Sequence, residues 1–345
     1  MTTYETRGRI CQGIGGFYTV KLFDAAAHAA LYPDPSPLCG QTVRCPARGR
    51  FRYSGMSPLC GDVAVLRYTD ASFSVTDDGR MVPDPNGTDM SVAEILPRKN
   101  ELIRPAMANL DGMMIVASAT HPQTPLLTLD KMTAIAVHNH IRPLILITKA
   151  DLDPEGADRL VRLYTASGFE TLAVSATTGA GVTALQEAAQ AFFPGRVSCL
   201  CGASGVGKST LMNLLFPHLK QKTGEISQKN KRGRNTTREI TLFDLSGFGY
   251  ADAWLADTPG FTMLDFEQFD FMRVEDLFDA FPEFDPFFGK CRYQDCAHVK
   301  EEGCAVLDAV KDGRIPKTRH DSYAELYGIL KKKKPWTMES GSGRA

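Results

Sequence analysis

Short runs of alternating hydrophobic and polar residues occupy the first hundred positions of the chain. Two of them are residues 16–22 and 62–68. Turn-forming Gly, Pro, Asp and Asn separate such runs, for example at 33–35, 77–79 and 84–87. A hydrophobic period of two is typical of half-buried strands, and these clusters mark the turns between them. Residues 1–100 are therefore predicted to form a small antiparallel β-barrel or sandwich.

The pattern changes after residue 97, where the apolar runs become continuous. These runs are residues 113–117, 143–147, 171–174 and 197–201, and the helix-like stretches between them are residues 125–140, 155–167 and 182–193. Strands that are buried on both faces read as continuous apolar runs. Strand and helix in alternation predict an α/β domain with a parallel sheet and crossover helices.

Composition limits the class of protein and its surroundings. The chain has 345 residues, of which 43% are hydrophobic and 23% are charged, as in an ordinary globular protein of two or three domains. Residues 1–10 lack the apolar run of a secretory signal, and no apolar run is long enough to span a membrane. We therefore expect a cytoplasmic protein with no membrane partner. The 9 cysteines then indicate reduced thiols or a metal site rather than a disulfide framework.

The net charge of −1 gives no global indication of a polyanionic partner, but charge is segregated locally. Residues 218–238 contain seven Lys or Arg and one acid, whereas residues 265–285 contain eight acids and one base. Residues 331–334 are all lysine, and a Gly/Ser-rich tail that we expect to be disordered follows over 336–345. The basic segments favour either contacts to an RNA backbone or an ordinary solvated face.

A phosphate-binding loop is predicted at residues 202–209, which fit the pattern G-x-x-x-x-G-K-[ST] between the strand 197–201 and a helix-like stretch. The predicted nucleotide-binding residues of this loop are Gly202, Ala203, Ser204, Gly205, Val206, Gly207, Lys208, Ser209 and Thr210. The glycines let the backbone N–H groups surround a phosphate. Lys208 is expected to reach the outer phosphates and Ser209 to ligate Mg²⁺. A Gly-rich turn with a chance Lys-Ser is the alternative.

Further Mg²⁺ and phosphate contacts are predicted around a second strand end. Asp257 follows the apolar segment 254–256 and suits a water-mediated Mg²⁺ contact, and Gly260 can offer its N–H to the γ-phosphate. Thr236 and Thr237 lie in the basic loop, where a switch threonine would reach the metal. The predicted magnesium ligands are Ser209, Thr236 and Asp257.

Guanine recognition is predicted at two further strand ends. Thr148, Lys149 and Asp151 follow the strand 143–147, and a carboxylate there can accept hydrogen bonds from guanine N1–H and N2–H₂. Ser175 and Ala176 end the strand 171–174, where a backbone N–H can meet guanine O6. Each short motif alone is weak. Together they lie at carboxyl ends of parallel strands, which is where such sheets bind ligands, so the sequence favours GTP and GDP over the ATPase or kinase alternative.

The order of these motifs is unusual, because Asp151 and Ser175 precede Gly202 in the chain. Ordinary GTPases have the phosphate loop first, so this order resembles that of the circularly permuted GTPases. A permutation is physically acceptable because the site depends on where strand ends lie in space. The segment after Gly260 then runs directly into the C-terminal region, to which hydrolysis can be transmitted.

A metal site is predicted from the spacing C-x₄-C-x-H-x₅-C, formed by Cys291, Cys296, His298 and Cys304. Three thiolates and one imidazole complete a tetrahedral Zn²⁺ site of the structural kind, since no ligand position stays open. Buried thiols with a chance His are the alternative. Cys39, Cys45 and Cys60 could hold a second metal, but a clear fourth ligand is missing nearby.

A small barrel, a permuted GTPase and this metal motif together resemble the bacterial ribosome small-subunit-dependent GTPases. The resemblance covers nearly the whole chain and includes RGRF at 48–51, GDV at 61–63, RKNELIRP at 98–105 and ANLD at 108–111. It implies an OB-fold barrel over 1–100, a circularly permuted GTPase domain over 101–265 and a mainly helical zinc-binding domain over 266–335. It also implies a GTP hydrolase, stimulated by the small ribosomal subunit and its rRNA during late maturation, with one structural Zn²⁺ and with Mg²⁺ bound beside GTP. We expect a monomer.

One position departs from that family. Its members usually have His immediately before the switch threonines, whereas this chain has Asn235, and Phe261 stands where many GTPases place a water-orienting Gln. Asn can hold a water molecule but cannot take a proton from it at neutral pH. The predicted catalytic residues are Lys208, Ser209, Asn235, Thr236, Thr237 and Gly260. A nucleotide-gated RNA-binding switch with negligible turnover is the alternative function, and a purely turn-forming Asn235 is the alternative role.

Overall fold

The computed structural model describes residues 3–23, 40–52, 56–69, 72–75, 81–83, 90–217, 219, 240–257 and 266–333. The chain divides into two compact units. The first comprises Met1–Leu110 with Arg238–Phe243, and the second comprises Asp111–Thr237 with Asp244–Ala345. The predicted metal ligands thus fall in the same unit as the predicted GTPase sheet. The finer boundaries at residues 100, 265 and 335 stay predictions.

The first unit contains a five-stranded barrel and two small hairpins. Its strands are β1 Thr3–Ile14, β2 Phe17–Leu22, β3 Thr42–Pro46, β4 Val63–Thr69, β5 Phe73–Val75, β6 Met81–Pro83, β7 Ser91–Ile95, β8 Glu101–Leu102 and β9 Met107–Ala108. The main sheet has the antiparallel order β3-β2-β1-β4-β7. A parallel bridge between Ala47 and Val92 joins its two edges. Closure of five strands in this order is the OB-fold topology and confirms the predicted barrel.

Alternate residues of these strands fill the barrel, as the period of two predicts. Ile10, Val20, Val43 and Leu66 are among its buried core residues. The register of β1 against β2 shifts between Ile10 and Gln12. Such a bulge bends a strand, which lets the long β1 pair with β2 on one side and β4 on the other.

Two of the sequence motifs hold the end of the barrel to the following hairpin. Arg98 Nε and Nη2 each donate to one carboxylate oxygen of buried Asp62, both at 2.7 Å. Gly61 has φ +95°, and a Cβ there would lie 2.1 Å from the Ala108 carbonyl oxygen. Only glycine fits this approach. The structure therefore gives RKNELIRP and GDV a role in the fold.

The second unit is built around a parallel sheet with helices on its faces. Its strands are β10 Gly112–Ser118, β11 Arg142–Thr148, β12 Thr171–Val174, β13 Val197–Cys201 and β15 Trp254–Asp257, in the order β12-β11-β10-β13-β15. The strand β14 Thr241–Asp244 begins within the segment Arg238–Phe243 of the first unit. Its helices are α1 Leu126–His138, α2 Pro154–Ala166, α3 Val182–Phe192, α4 Lys208–Leu215, α5 Ala305–Lys311 and α6 Lys317–Lys332. All pairings from β12 to β15 in that order are parallel. The predicted α/β sheet with crossover helices is confirmed.

Residues 266–333 form turns, a 3₁₀-helix at Pro282–Phe287, and the helices α5 and α6. The end of α6 is fastened to the acidic segment, where Lys333 Nζ donates to Asp270 Oδ1 at 2.9 Å and to the Phe269 carbonyl oxygen at 2.6 Å. Helix α6 contacts α1 of the sheet. None of the helices in the described part of the chain has the length and apolarity needed to cross a membrane.

Candidate nucleotide site and metal cluster

The predicted phosphate loop connects β13 to α4 in a backbone conformation that requires glycine. Gly202, Gly205 and Gly207 have φ values of +141°, +80° and +100°. A Cβ on Gly202 would lie only 2.2 Å from the Val116 carbonyl oxygen of β10. Substitution at Gly202 would therefore force the loop away from the sheet edge. The loop ends where α4 begins, at Lys208.

Lys208 lies across this loop. Its Nζ donates to the carbonyl oxygens of Gly202 at 2.8 Å and Ala203 at 2.6 Å. Ser209 and Thr210 are exposed in the first turn of α4. The ammonium group and the helix N-terminus are thus directed at one place, which suits the phosphates of a nucleotide.

The predicted guanine motif lies beside the phosphate loop. Thr148, at the end of β11, is buried, and its Oγ1 is 2.5 Å from the Val206 carbonyl oxygen and 3.0 Å from that of Ala117. Lys149 follows with φ +56°, and the Leu152 N–H donates to its carbonyl oxygen at 3.0 Å. This turn leaves Asp151 half-buried beyond the strand end. Thr148 supports the phosphate loop by this contact, and Asp151 is partly accessible to solvent.

Ser175 and Ala176 begin a compact turn after β12. The buried Ser175 donates its N–H to the Ala180 carbonyl oxygen at 2.9 Å, and its Oγ accepts from the Thr178 N–H at 3.1 Å. Ala176 is exposed. Gly181, with φ +75°, closes the turn so tightly that a Cβ there would lie 2.0 Å from the Ala173 carbonyl oxygen.

Asp257 is the last residue of β15, and it pairs in register with Leu200 of β13. Its backbone therefore stands next to the strand that leads into the phosphate loop. The other predicted switch residues, Asn235, Thr236, Thr237 and Gly260, lie outside the described residues, as does Phe261.

One loop at the carboxyl edge of the sheet was not predicted from the sequence. The loop after β10 carries His121, whose carbonyl oxygen accepts from Lys149 Nζ at 2.6 Å. Pro122 lies beside the phosphate loop, since a Cβ on Gly205 would be 3.2 Å from its Cγ. The loop follows a buried parallel strand, so the rule that ligands bind at carboxyl ends could have identified it.

The four predicted metal ligands converge in the C-terminal region. The ligand atoms of Cys291, Cys296, His298 and Cys304 all lie within 4.8 Å of one another. His298 Nδ1 is 3.4 Å from the sulfurs of both Cys291 and Cys304, and these sulfurs are 3.9 Å apart. A tetrahedral Zn²⁺ with Zn–S bonds of about 2.3 Å has S···S edges of about 3.8 Å. The donor set and its spacing therefore fit a tetrahedral ion and disfavour a chance grouping.

Helix α6 holds the loop that carries these ligands. His320 Nε2 donates to the His298 carbonyl oxygen at 2.7 Å, and the Tyr323 hydroxyl donates to the Ala297 carbonyl oxygen at 3.0 Å. Such outer contacts orient metal ligands. Burial raises the pKa of Cys296 to about 12 and lowers the pKa of His298. The lowered pKa favours a neutral imidazole near pH 7, whereas binding of a cation must displace the proton of the Cys296 thiol.

The second metal considered from the sequence gains no support from the described residues. Cys45 is buried in the barrel core and Cys60 is buried before β4, and neither belongs to a group of metal-ligating side chains among the described residues. Burial raises the pKa of Cys45 to about 12, which suits a neutral core thiol. Cys39 lies outside the described part of the chain.

Known proteins of similar sequence cover nearly the whole chain. A relative from Caldanaerobacter subterraneus subsp. tengcongensis, the small ribosomal subunit biogenesis GTPase RsgA, is 36% identical over 328 residues, which are 95% of this chain and 96% of that protein. The protein of the same name from Geobacillus kaustophilus is 35% identical over 300 residues, covering 86% and 93% of the two chains.

Solved structures show the same architecture. YjeQ from Thermotoga maritima superposes with a TM-score of 0.70 at 25% identity, over 96% of this chain and 100% of that one. YloQ, a circularly permuted GTPase, superposes with a TM-score of 0.66 at 28% identity, over 96% and 97% of the two chains. Residues 95–267, which span the sheet and the phosphate loop, match the RsgA GTPase family. The chain therefore belongs to the RsgA GTPase family and is a circularly permuted GTP hydrolase.

Proposed function

We propose that this GTPase binds the small ribosomal subunit and hydrolyses GTP during the late maturation of that subunit. The observation that carries the proposal is the junction of the phosphate loop and the guanine motif, where Thr148 Oγ1 meets the Val206 carbonyl oxygen. That junction occurs in a chain whose relatives, similar over nearly their whole length, are named small ribosomal subunit biogenesis GTPases. The cytoplasm, where such subunits mature, is the proposed location.

In this proposal, the residues that follow the carboxyl ends of the different strands have different functions. Lys208 neutralises the outer phosphates, Gly260 donates its N–H to the γ-phosphate, and Asn235 with Thr237 borders the attacking water. Ser209, Thr236 and Asp257 hold the Mg²⁺ that accompanies GTP. Asp151 accepts hydrogen bonds from the guanine ring, and Ser175 and Ala176 offer backbone to its O6. Zn²⁺ is held by the Cys291, Cys296, His298 and Cys304 cluster and fixes the fold of the C-terminal region.

The subunit's RNA is proposed to bind the basic segments 218–238 and 331–334, apart from Lys333, whose ammonium group pairs with Asp270. Their Lys and Arg side chains can replace counterions along the phosphate backbone. The proposed arrangement is a monomer with the OB barrel over 1–100, the GTPase domain over 101–265, the zinc-binding domain over 266–335 and a tail over 336–345. The acidic segment 265–285 is unsuited to RNA and is used for internal contacts instead.

The test of this function is phosphate release from GTP with and without purified small subunits at low salt. We expect multiple turnovers that small subunits accelerate, that large subunits do not, and that rising salt suppresses steeply because counterions are released on RNA binding. A rate that small subunits leave unchanged at low salt would contradict the proposal.

The alternative, a nucleotide-gated RNA-binding switch with negligible turnover, is favoured by one observation, which is Asn235 in place of His. A general base typically contributes about a hundredfold or more to a rate, and Asn cannot supply that contribution. Asn235→His is therefore expected to raise the stimulated rate or leave it unchanged at equal GTP affinity, and Asn235→Ala to lower it only modestly. Single-turnover behaviour of the wild type with subunits present would favour the switch.

Guanine selectivity is expected to depend on Asp151. Asp151→Asn should weaken GTP binding by about 2–3 kcal/mol, since a charge-assisted hydrogen-bonded pair is lost. The same change should improve binding of xanthosine triphosphate, because an amide can donate to the xanthine 2-oxo group. Equilibrium binding of fluorescent nucleotides measures both effects. Asp158→Asn on exposed α2 is the matched control and should change neither. Equal affinity of the wild type for ATP and GTP would refute the assignment.

A further inference from the structure

A buried arginine joins helix α6 to helix α1 of the GTPase sheet. The Arg319 side chain is 0% exposed, and its Nη1 donates to Asp130 Oδ1 at 2.7 Å and to Thr133 Oγ1 at 3.0 Å. Its Nε donates to Glu283 Oε1 at 2.6 Å. One guanidinium thus holds α1 on one side and the 3₁₀-helix of the C-terminal region on the other.

Aromatic rings surround the buried Arg319 guanidinium. Arg319 lies 4.5 Å from the ring centroid of Phe281 and 5.3 Å from that of Phe169. Burial works to lower the pKa of Arg319, but the charges of Asp130 and Glu283 outweigh it and raise that pKa. Two carboxylates and one guanidinium are a costly group to bury. A purely apolar contact would hold the helices together without that cost, which points to a use for the charges.

The hydrogen bonds between Arg319 and Asp130 of α1 can rearrange without loss of the ion pair. Asp130 Oδ1 accepts from both Arg319 and the Tyr164 hydroxyl, whereas the buried Oδ2 has no hydrogen-bond partner among the described residues. A guanidinium can bind one carboxylate through two parallel hydrogen bonds. Arg319 Nη2 donates to Glu283 Oε2 at 3.3 Å, the longer of the two hydrogen bonds between these side chains. Nη2 can therefore turn to Asp130 Oδ2 while Nε stays on Glu283, which tightens the link between α6 and α1.

The same turn of α6 also holds the metal cluster. His320, the next residue, donates to the His298 carbonyl oxygen, and Tyr323 donates to that of Ala297. Because of these hydrogen bonds, a displacement of α6 relative to α1 also displaces the loop that carries Cys296 and His298.

The loop that precedes α1 contacts the predicted nucleotide site. The loop that enters α1 contains His121, which accepts from Lys149 of the guanine motif, and Pro122, which lies beside Gly205 of the phosphate loop. Lys131, next to Asp130, lies 5.7 Å from the ring centroid of Phe266, which follows the Asp257–Gly260 motif in the chain. The loop before α1 thus contacts the predicted nucleotide-binding motifs, and α1 itself contacts Phe266 at the start of the C-terminal region.

We propose that the Asp130–Arg319 ion pair couples the nucleotide site to the metal cluster. Exchange of GDP for GTP shifts α1, and Arg319 transmits the shift to α6 and from there to the loop of His298. Asp130 and Arg319 are positioning residues, since they act through these elements and contact no substrate. The consequence for stimulated hydrolysis rests on the proposed ribosomal function, whereas the coupling within the chain does not.

The test compares Asp130→Asn with Glu283→Gln, two carboxylate-to-amide changes at side chains that are 1% and 3% exposed. Asp130→Asn leaves the guanidinium on Glu283 and weakens its grip on α1. Glu283→Gln frees the guanidinium to bind Asp130 with both donors. Amide hydrogen exchange in α6 of the full chain is measured with GDP and with a non-hydrolysable GTP analogue. In the wild type and in Glu283→Gln, we expect the amide exchange rates in α6 to differ by about threefold or more between GDP and the GTP analogue. In Asp130→Asn, we expect the rates with the two nucleotides to be nearly equal.

Exchange in α6 of the wild type that does not depend on the nucleotide would overturn the proposal, as would nucleotide dependence that survives in Asp130→Asn. If Asp130→Asn does not fold, Arg319→Lys takes its place, because an ammonium keeps the charge but lacks the planar fork with which Arg319 donates to Asp130 and Glu283 at once. Phosphate release is measured on the same variants. Loss of subunit stimulation in Asp130→Asn at unchanged GTP affinity extends the coupling to the reaction. If exchange in α6 of the wild type depends on the nucleotide but small subunits do not accelerate its GTP hydrolysis, the small subunit is refuted as the partner and the coupling within the chain still holds.

Discussion

Lys208→Ala is expected to lower GTP turnover by about a hundredfold or more, the effect of removing a group that stabilises charge developing in a transition state. Lys208 Nζ lies 2.8 Å from the Gly202 carbonyl oxygen and 2.6 Å from that of Ala203, so its charge is held against the phosphate loop. Phosphoryl transfer depends almost entirely on positioning and electrostatics, and this lysine is proposed to supply both. Phosphate release under saturating GTP measures the loss.

A matched control separates this effect from a general loss of charge. Lys311→Ala removes an exposed lysine that pairs with Asp308 on α5, far from the loop in the chain, and should leave turnover unchanged. Ser209→Ala should resemble Lys208→Ala, because it removes a proposed Mg²⁺ ligand from the same turn. Turnover within a few-fold of wild type in Lys208→Ala, at saturating nucleotide, would remove the phosphate loop from the mechanism.

The central sheet could be predicted because its signals are local. The runs 113–117 and 143–147 became β10 and β11 with one residue added at each end. The phosphate loop was predictable for the same reason, since its glycines, its strand and its helix are contiguous. The role of Thr148 was only partly visible. The sequence placed it in the nucleotide site, and the structure shows its hydroxyl supporting the Val206 carbonyl oxygen.

The buried charges could not be predicted because their partners are distant in the chain. Glu283 was counted in an acidic run of residues 265–285, yet its side chain is 3% exposed and paired with Arg319. Asp130 and Arg319 are separated by 189 positions, and neither lies in a motif. Barrel closure through Ala47 and Val92 was hidden similarly, since alternation shows which face of a strand is buried but not which strands are neighbours.

Removal of the proposed Zn²⁺ is expected to have the second large effect, which is unfolding of the C-terminal region. Structural Zn²⁺ sites of this kind contribute roughly 10–16 kcal/mol of apparent binding free energy near neutral pH, and that free energy is coupled to folding. Here Cys304 also caps α5, since its sulfur accepts from the Leu307 N–H at 3.5 Å. Cys304→Ala should therefore abolish binding of one zinc per chain and expose the amides of α5 and α6 to hydrogen exchange. Nucleotide binding should mostly persist, because the phosphate loop and Asp151 lie on the sheet.

Cys199→Ala is the control that separates the effect of losing zinc from the effect of losing a buried thiol. Cys199 lies on β13, is buried and has a pKa that burial raises to about 12, so it is a neutral core thiol outside the cluster. Its replacement should leave one zinc per chain. Zinc retention should also fall as the pH falls, since binding must displace the proton of Cys296, whose pKa without the ion is about 12. Protein purified without chelator that contains no zinc, yet protects α5 and α6 from exchange, would show that the thiols fold this region without a metal.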